Sequence, residues 1–352
     1  MQLTVSTENG RTQFHLGEEI RLTLRYTASV PGKYLMAGPG AKAKGWDHER
    51  LSCTPREEAV DREADDGVVD GHKFLHAECG SGVGGGIGGG CADCSIEGPL
   101  GPRAILKELV ANRSVQFTRA TTYTCTVTDG SIVTAASAPN YRAIRLTSRP
   151  FTLTLSDDSA WSALALKAAL EGMATEKCGV IKGDRVACME LADRFRYIDT
   201  PDSLAAITQF LSNEDKFSSW QHELWLGLFQ SRHQDDVIRL LEMRYTDPDF
   251  AVTAENMEAL TGIRLRKAFP QAFARTTKAE DFRTAAVFLL QETLRKLGDS
   301  LPEKSPLTKA ISAKTYETLA SQDFCEKEAI IPEAERKRVL KQAFVAGAVT
   351  PK

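Results

Sequence analysis

Alternating apolar and polar residues dominate the first part of the chain, and a helical periodicity replaces them after Pro150. In Ile20–Tyr26 every second residue is apolar, which is typical of a half-buried antiparallel strand. Asn9-Gly10 is a tight-turn dipeptide, so we expect the segments on either side of it to form a hairpin. Further strands are predicted for Gln2–Ser6, Arg11–His15, Thr121–Thr128, Tyr141–Thr147 and Pro150–Leu155.

Beyond Pro150 the apolar residues recur with the spacing of amphipathic helices. Ser156-Asp157-Asp158 provides an N-cap and acidic residues for the start of a first helix. Thr200 is the expected N-cap of a later helix that has Pro201 at its first position. Helices are predicted from this cap through Trp161 to Leu170, and over Arg185–Tyr197, Pro201–Leu211, Ser218–Gln230, Gln234–Tyr245, Thr253–Lys267, Ala279–Leu297, Leu307–Ser321 and Pro332–Ala346. The chain is therefore predicted to be a multi-domain α+β protein, with a β domain over 1–155 and an α domain over 156–352.

Composition excludes several classes of function. The 352 residues are more than one core normally organises, which agrees with two domains. An apolar content of 42%, a charged content of 26% and a net charge of -3 are typical of a soluble globular protein and disfavour nucleic-acid binding. No apolar run reaches the roughly 18 to 20 residues of a membrane span.

The cysteine pattern points to an oxidising compartment. The chain has eight cysteines, an even number with local clustering, which favours disulfides; reduced buried thiols are the alternative. The disulfide candidates are Cys53, Cys79, Cys91, Cys94, Cys125, Cys178 and Cys188. We therefore expect a secreted or periplasmic protein whose leader is absent from this chain.

Tyr123-Thr124-Cys125 resembles the tyrosine corner of immunoglobulin-like sandwiches, in which the tyrosine bonds back to the backbone. The resemblance implies an Ig-like antiparallel β-sandwich. The early strand Ile20–Tyr26 has no cysteine, so the usual inter-sheet disulfide cannot form there. If Cys125 is paired, we expect its partner to come from the insertion at about 37–112, and Cys53 is one candidate.

A long insertion at about 37–112 interrupts the predicted sandwich. It contains eight glycines in the eleven residues from Gly80 to Gly90, flanked by Cys79 and by Cys91-Ala92-Asp93-Cys94. A phosphate-binding loop is disfavoured because the Lys and Ser/Thr that it needs do not follow. A zinc site would use Cys79, Cys91 and Cys94 with His76 or His72. The favoured interpretation is a glycine loop closed by a disulfide from Cys79 to Cys91 or Cys94.

A weak internal repeat marks the α domain. Tyr197-Ile198-Asp199-Thr200-Pro201 recurs as Tyr245-Thr246-Asp247-Pro248, 48 positions later. With this spacing, the region Asp184–Ile263 resembles HEAT-like repeat proteins, in which helix pairs stack into a solenoid. An irregular helical bundle is the alternative.

The order of the whole chain carries a further resemblance. The chain as a whole resembles uncharacterised secreted bacterial proteins, mainly acidobacterial. The resemblance lies in the order of four parts: a sandwich that opens with FHLGEEIRLTLRY, a glycine-rich insertion, a strand ending in RPFTLTL and a helical region with RYIDTPDSL. The resemblance implies export from the cytoplasm. It assigns no catalytic residue.

Recognised catalytic signatures are absent from the sequence. His222-Glu223 begins like a zinc-protease HExxH helix, but position 226 is Leu and the second ligand is missing. No GxSxG elbow is present. Trp220, Leu224 and the pair Leu228-Phe229 recur at helical spacing, which indicates a core stripe first. A partner-binding surface that includes Trp220, Trp225 and Phe229 is the second interpretation.

These patterns favour binding over catalysis. We expect a non-catalytic binding or scaffold protein of the cell envelope, without a cofactor, that recognises a protein or polymer through its helical domain or its glycine-rich loop. The alternative is a hydrolase or metal-dependent enzyme whose site lies in the insertion with its Cys and His residues, with zinc as the candidate metal.

Overall fold

The computed structural model describes residues 1–37, 49–56, 59–61, 96–135, 143–178, 185–211, 219–247 and 254–268, and the helical positions 285, 288, 289, 292, 293, 334 and 338. The described residues up to Trp161 form one compact unit, and those from Ser162 onward form a second. The first unit is built of strands and the second of helices, so the protein is a mixed α+β protein.

The strands of the first unit form two larger sheets and one small one. In chain order they are β1 (Gln2–Thr7), β2 (Gln13–His15), β3 (Arg21–Thr27), β4 (Tyr34–Ala37), β5 (Arg50–Thr54), β6 (Ala59–Asp61), β7 (Ile96–Pro99), β8 (Ile105–Val110), β9 (Val115–Phe117), β10 (Thr122–Thr134), β11 (Ala143–Thr147) and β12 (Phe151–Ser156). One sheet has the order β1-β3-β8, and the other has the order β2-β12-β10-β4-β7, with β5 and β11 also paired to β10. β6 pairs with β9. Among these described strands, β2 and β12 form the parallel pair and the other pairs are antiparallel.

The alternation in β3 explains how the first sheet meets the core. Leu22, Leu24 and Tyr26 are fully buried, whereas Arg21 and Arg25 are exposed on the other face. The second sheet faces the same core with alternate residues of β10 and β12. The side chains shared by this core include Leu3, Ile20, Leu22, Leu24, Tyr26, Met36, Leu51, Tyr123, Val127, Ile132, Leu153 and Leu155.

The expected hairpin around Asn9-Gly10 is wrong, although the turn itself is present. Asn9 and Gly10 both have positive φ angles, 53° and 69°. The two strands nevertheless enter different sheets, because β1 pairs with β3 and β2 pairs in parallel with β12. The link between them runs from residue 8 to residue 12, longer than a two-residue hairpin turn, and this length lets the chain pass from one sheet to the other.

The segment 37–112 is not a loop throughout. β5 pairs with β10, β7 pairs with β4, and β8 pairs with β3 along its whole length. These strands are four to six residues long. In β8, Leu106 is apolar but 63% exposed, so apolar and polar residues do not alternate regularly along this strand. The sheets therefore use parts of the chain that pattern alone assigns to an insertion.

The helices agree closely with those predicted. The first unit has a short helix α1 (Ala111–Ser114), and then follow α2 (Ser159–Thr175), α3 (Arg185–Ile198), α4 (Pro201–Phe210), α5 (Ser219–Gln230), α6 (Gln234–Thr246) and α7 (Ala254–Ala268). In the second unit α3 packs on α5, α4 packs on α6, and α6 packs on α7. The predicted helices Leu307–Ser321 and Pro332–Ala346 lie outside the described residues apart from helical positions 334 and 338, and so does most of Ala279–Leu297.

Local signals fix where two helices begin. Asp158 Oδ1 accepts a hydrogen bond of 3.0 Å from the backbone N–H of Trp161, so this acid caps α2. Thr200 and Ser203 form a reciprocal capping box at the start of α4, with Pro201 at the first helical position. Both caps were expected from the sequence.

Candidate functional site

An open groove lies in the first unit, where the start of β1, the end of β3 and the end of β11 come together. Its volume is about 700 Å³, within the range of pockets that hold ligands. The side chains of the lining are uncharged except for one arginine, and the lining is contributed by Met1, Gln2, Leu3, Thr27, Ala28, Ser29, Pro102, Leu146, Thr147 and Arg149. The groove thus combines apolar side chains with hydroxyl, amide and guanidinium groups.

Two strands border the groove with an open edge. Within the described part of the chain, β1 pairs with β3 alone and β11 pairs with β10 alone. Each strand therefore carries a row of backbone N–H and C=O groups on its other side that is not paired with a described strand. Such an edge is a template for pairing with another chain.

Arg149 is the ionisable side chain of the groove. It is exposed, and its guanidinium makes no hydrogen bond or ion pair with a described residue. Arginine stays protonated at physiological pH and offers five donors in a fork that matches a carboxylate. A lining with this residue and no described His, Cys, Asp or Glu side chain is suited to recognition rather than to proton transfer.

The strands that border the groove contain basic residues and no acidic residues. β1, β3 and β11 together contain Arg21, Arg25 and Arg145 and no Asp or Glu. Arg21 is neutralised at the far end of β3 by Glu108, at 2.7 Å, and by Glu19. The hydrogen bond to Glu108 raises the pKa of Arg21. Arg25, opposite Thr4 of β1, and Arg145 are both exposed.

A serine, a histidine and an aspartate also meet at the end of β12, but their geometry is not that of a catalytic triad. Ser156 Oγ lies 3.4 Å from Nδ1 of His15, and Asp158 Oδ2 lies 3.7 Å from the same nitrogen. A triad needs the two partners on opposite ring nitrogens. The imidazole stacks on the ring of Trp161 with centroids 5.0 Å apart. This cluster therefore anchors the start of α2.

The second unit contains a buried ionic network. Arg196 in α3 is 4% exposed. Its Nε and Nη2 donate to Oε1 of Gln230 at 3.0 and 2.7 Å, and its Nη1 donates to Oε2 of Glu223 at 3.0 Å. Both acceptors belong to α5, so the network ties α3 to α5. Gly227 lies beside it, and a Cβ there would come within 3.3 Å of the backbone of Arg196.

A second polar cluster fixes the turn between α5 and α6. The hydroxyl of Ser231 donates to Asp199 Oδ1 at 2.6 Å and accepts from the backbone N–H of His233 at 3.0 Å. The backbone N–H of Arg232 donates to Asp199 Oδ2 at 3.1 Å. Because the serine is hydrogen-bonded directly to a carboxylate and a backbone amide, this cluster holds the turn in place.

Four of the predicted disulfide cysteines are bonded in pairs. Cys53 in β5 lies directly opposite Cys125 in β10 and forms a disulfide with it, the pairing that the sequence offered as a candidate. Cys178 forms a disulfide with Cys188, which links the end of α2 to α3. The other candidates, Cys79, Cys91 and Cys94, lie outside the described residues, as do His72 and His76.

The aromatic residues proposed as a partner surface are buried. Trp220, Trp225 and Phe229 are 8%, 4% and 4% exposed, respectively. They lie in α5, which packs on α3, and they belong to the hydrophobic interior of the second unit. This placement agrees with the core interpretation and provides no exposed aromatic surface at these three positions.

The sequence did not reveal the groove. Its residues come from four separate segments, and none of them forms a recognised motif. The available signal was the absence of acids in Gln2–Ser6, Arg21–Tyr26 and Tyr141–Thr147, but their proximity depends on sheet topology. Among the described residues, no group of three or more His, Cys, Asp or Glu side chains is placed to hold a metal ion, and no helix is long and apolar enough to cross a membrane.

Comparison of the chain with protein-family models gave no match. Comparison with curated proteins and with solved structures also gave no match. The interpretation of the groove therefore depends on its own geometry and chemistry.

Proposed function

We propose that this protein is a non-catalytic binding or scaffold protein of the cell envelope that recognises a protein or polymer partner. The observation that carries the proposal is the groove beside β1 and β11, where no described strand pairs with the outer edges of these strands and the guanidinium of Arg149 contacts no described partner. These groups offer hydrogen bonds and charge to a partner. The side chains that line the groove include no described His, Cys, Asp or Glu, the residues that commonly transfer protons in catalysis.

The disulfides support a location outside the cytoplasm. Cys53–Cys125 and Cys178–Cys188 give each unit one cross-link. Disulfides persist mainly in oxidising compartments such as the periplasm and the extracellular space. Secretion is also what the similarity to secreted bacterial proteins implies.

An Ig-like sandwich and a HEAT-like helical stack are the architectures that we propose for the two units. The sandwich is supported by the hydrogen bond from the Tyr123 hydroxyl to the carbonyl of Arg119, which is the bond expected of a tyrosine corner. The helical stack is supported by the packing of the hairpin α3–α4 on the hairpin α5–α6, helix against helix. Scaffold and adhesion proteins commonly use both architectures for binding.

The helical unit offers a second candidate surface. Val186 of α3 and Met243 of α6 are 66% and 59% exposed. Isolated exposed apolar residues are common, so these positions serve as probes of the helical surface. The glycine-rich loop remains part of the proposal from sequence alone.

Site-specific photocrosslinking in an envelope extract tests the proposal. The photoreactive residue p-benzoylphenylalanine would replace Thr147 in the groove, Met243 on the helical surface and, as a control, exposed Thr152 of β12 outside the groove lining. We expect a discrete crosslinked partner at Thr147 and none at Thr152. Absence of a crosslinked partner at both Thr147 and Met243 contradicts a binding function.

A further inference from the structure

We infer that the groove takes an extended acidic segment of a partner protein, added as a strand along the open edge of β1 with one carboxylate on Arg149. This inference rests on the proposed binding function and names the chemical class of the partner. It follows from three properties of the described residues: the strand edge, the alternation of the lining and the sign of the charge.

The edge of β1 favours an extended polypeptide as the ligand. β1 spans six residues, Gln2–Thr7, and β3 pairs with its other side in unbroken register from Gln2–Thr27 to Thr7–Leu22. No described strand pairs with its outer edge, which carries regularly spaced donors and acceptors over about 20 Å. A peptide that adds as a strand satisfies these groups with its own backbone, which is the basis of recognition by β-augmentation.

The residues that line the groove determine which side chains of the bound segment are favoured. Leu3 is buried, and Leu146 of β11 packs on the same core, so the floor of the groove is apolar. The rim is formed by exposed polar residues such as Gln2 and Thr147. Because successive side chains of a strand point to opposite faces, a segment that alternates apolar with polar residues matches both the floor and the rim.

The charge decides which polar residue is favoured. Arg149 has no described partner, and the exposed Arg25 of β3 lies opposite Thr4 of β1, a strand without acidic residues. A carboxylate on Arg149 gains a charge-assisted, bidentate hydrogen bond, whereas a lysine at that position meets like charge. Acidic segments are therefore favoured over neutral segments, and basic segments are excluded.

The test uses the full chain with intact disulfides and a tag placed after Lys352, since Met1 lines the groove. The probes are synthetic fluorescent octapeptides that alternate valine with threonine and carry a single aspartate at each polar position in turn. A matched set carries lysine instead. Affinity is measured by fluorescence anisotropy for the wild type, for Arg149→Glu and for Arg194→Glu, a control at an exposed arginine of α3.

We expect at least one aspartate peptide to bind and its lysine counterpart to bind at least about tenfold more weakly. Arg149→Glu should weaken the aspartate peptide by about tenfold or more and strengthen the lysine peptide. Arg194→Glu should change neither. Hydrogen exchange should show new protection of the amides of β1 when the peptide is bound.

Equal affinity for aspartate and lysine peptides, no effect of Arg149→Glu, or protection confined to other strands would each overturn the inference. So would failure of every peptide to bind. If no peptide binds while the groove still crosslinks a partner at Thr147, the partner is of another class, such as a glycan, and the binding function stands. If the crosslink is absent at Thr147 and Met243 as well, both proposals fail.

Discussion

The hydroxyl of Tyr123 donates a hydrogen bond of 2.9 Å to the carbonyl oxygen of Arg119, four residues earlier in the chain. The tyrosine ring is fully buried and meets Phe117 edge-on, with ring centroids 4.9 Å apart. This bond closes the turn that leads into β10, the strand to which β4, β5, β11 and β12 all pair. The larger sheet therefore includes a strand whose preceding turn is held by one side chain.

Tyr123→Phe removes this bond and keeps the packed ring. We expect the free energy of unfolding of the oxidised protein to fall by about 1 kcal/mol, the net worth of a neutral hydrogen bond. Denaturant unfolding followed by circular dichroism measures it. Tyr34→Phe is the matched control, because the hydroxyl of Tyr34 makes no hydrogen bond to a described residue. Equal losses in the two variants would show that the bond contributes nothing specific.

Arg196→Met tests the buried ionic network of the helical unit. The change removes the guanidinium that donates to Glu223 and Gln230 and that pairs with buried Asp193, and breaking a buried ion pair costs about 3 to 5 kcal/mol. Arg194→Met, two residues away on the exposed face of α3, should cost under about 0.5 kcal/mol. Adding Glu223→Leu to Arg196→Met should recover part of the loss, since it removes one of the two carboxylates, Glu223 and Asp193, that form ion pairs with Arg196. Similar stabilities for the Arg196 and Arg194 variants would contradict the network.

The two disulfides should differ in their contribution to stability. They close loops with sequence separations of 72 and 10 residues. On the chain-entropy account, the longer loop is worth about 4 kcal/mol and the shorter about 3 kcal/mol. Urea unfolding of Cys53→Ala/Cys125→Ala and of Cys178→Ala/Cys188→Ala measures this difference. A larger loss from the second pair would contradict the entropic account.

A count of free thiols tests the predicted disulfide in the glycine-rich segment. A disulfide from Cys79 to Cys91 or Cys94, with the two pairs already described, leaves two free thiols among the eight cysteines. We therefore expect two thiols per chain in denaturant without reductant, and no stoichiometric zinc by elemental analysis. Four free thiols together with one zinc per chain would support the metal-site interpretation instead.

The sequence predicted local structure better than it predicted topology. The strand at Arg21–Thr27 and the helix at Pro201–Phe210 follow from alternation and from a cap, which are properties of neighbouring residues. The pairing of β2 with β12 joins residues about 140 positions apart, and no local pattern encodes it. Short strands such as β5 were missed because five residues give too little alternation to stand out from a loop.

The groove could not be predicted from the sequence either, because it depends on the pairing of distant strands. Arg149 precedes a predicted strand and carries no motif, and its importance appears only when β11 and β1 border the same groove. The cysteines, by contrast, were good local signals. Cys53 and Cys125 were paired correctly as candidates because the early strand lacked an alternative.

The central claim is that the groove beside β1 and β11 binds the partner, and the most direct test is the affinity of the native partner for groove variants. The partner is purified from the Thr147 crosslink, and its Kd is measured for the wild type, for Arg149→Glu and for Arg194→Glu by surface plasmon resonance. The account predicts a Kd at least about tenfold weaker for Arg149→Glu and unchanged for Arg194→Glu. Equal affinities for all three proteins would contradict it.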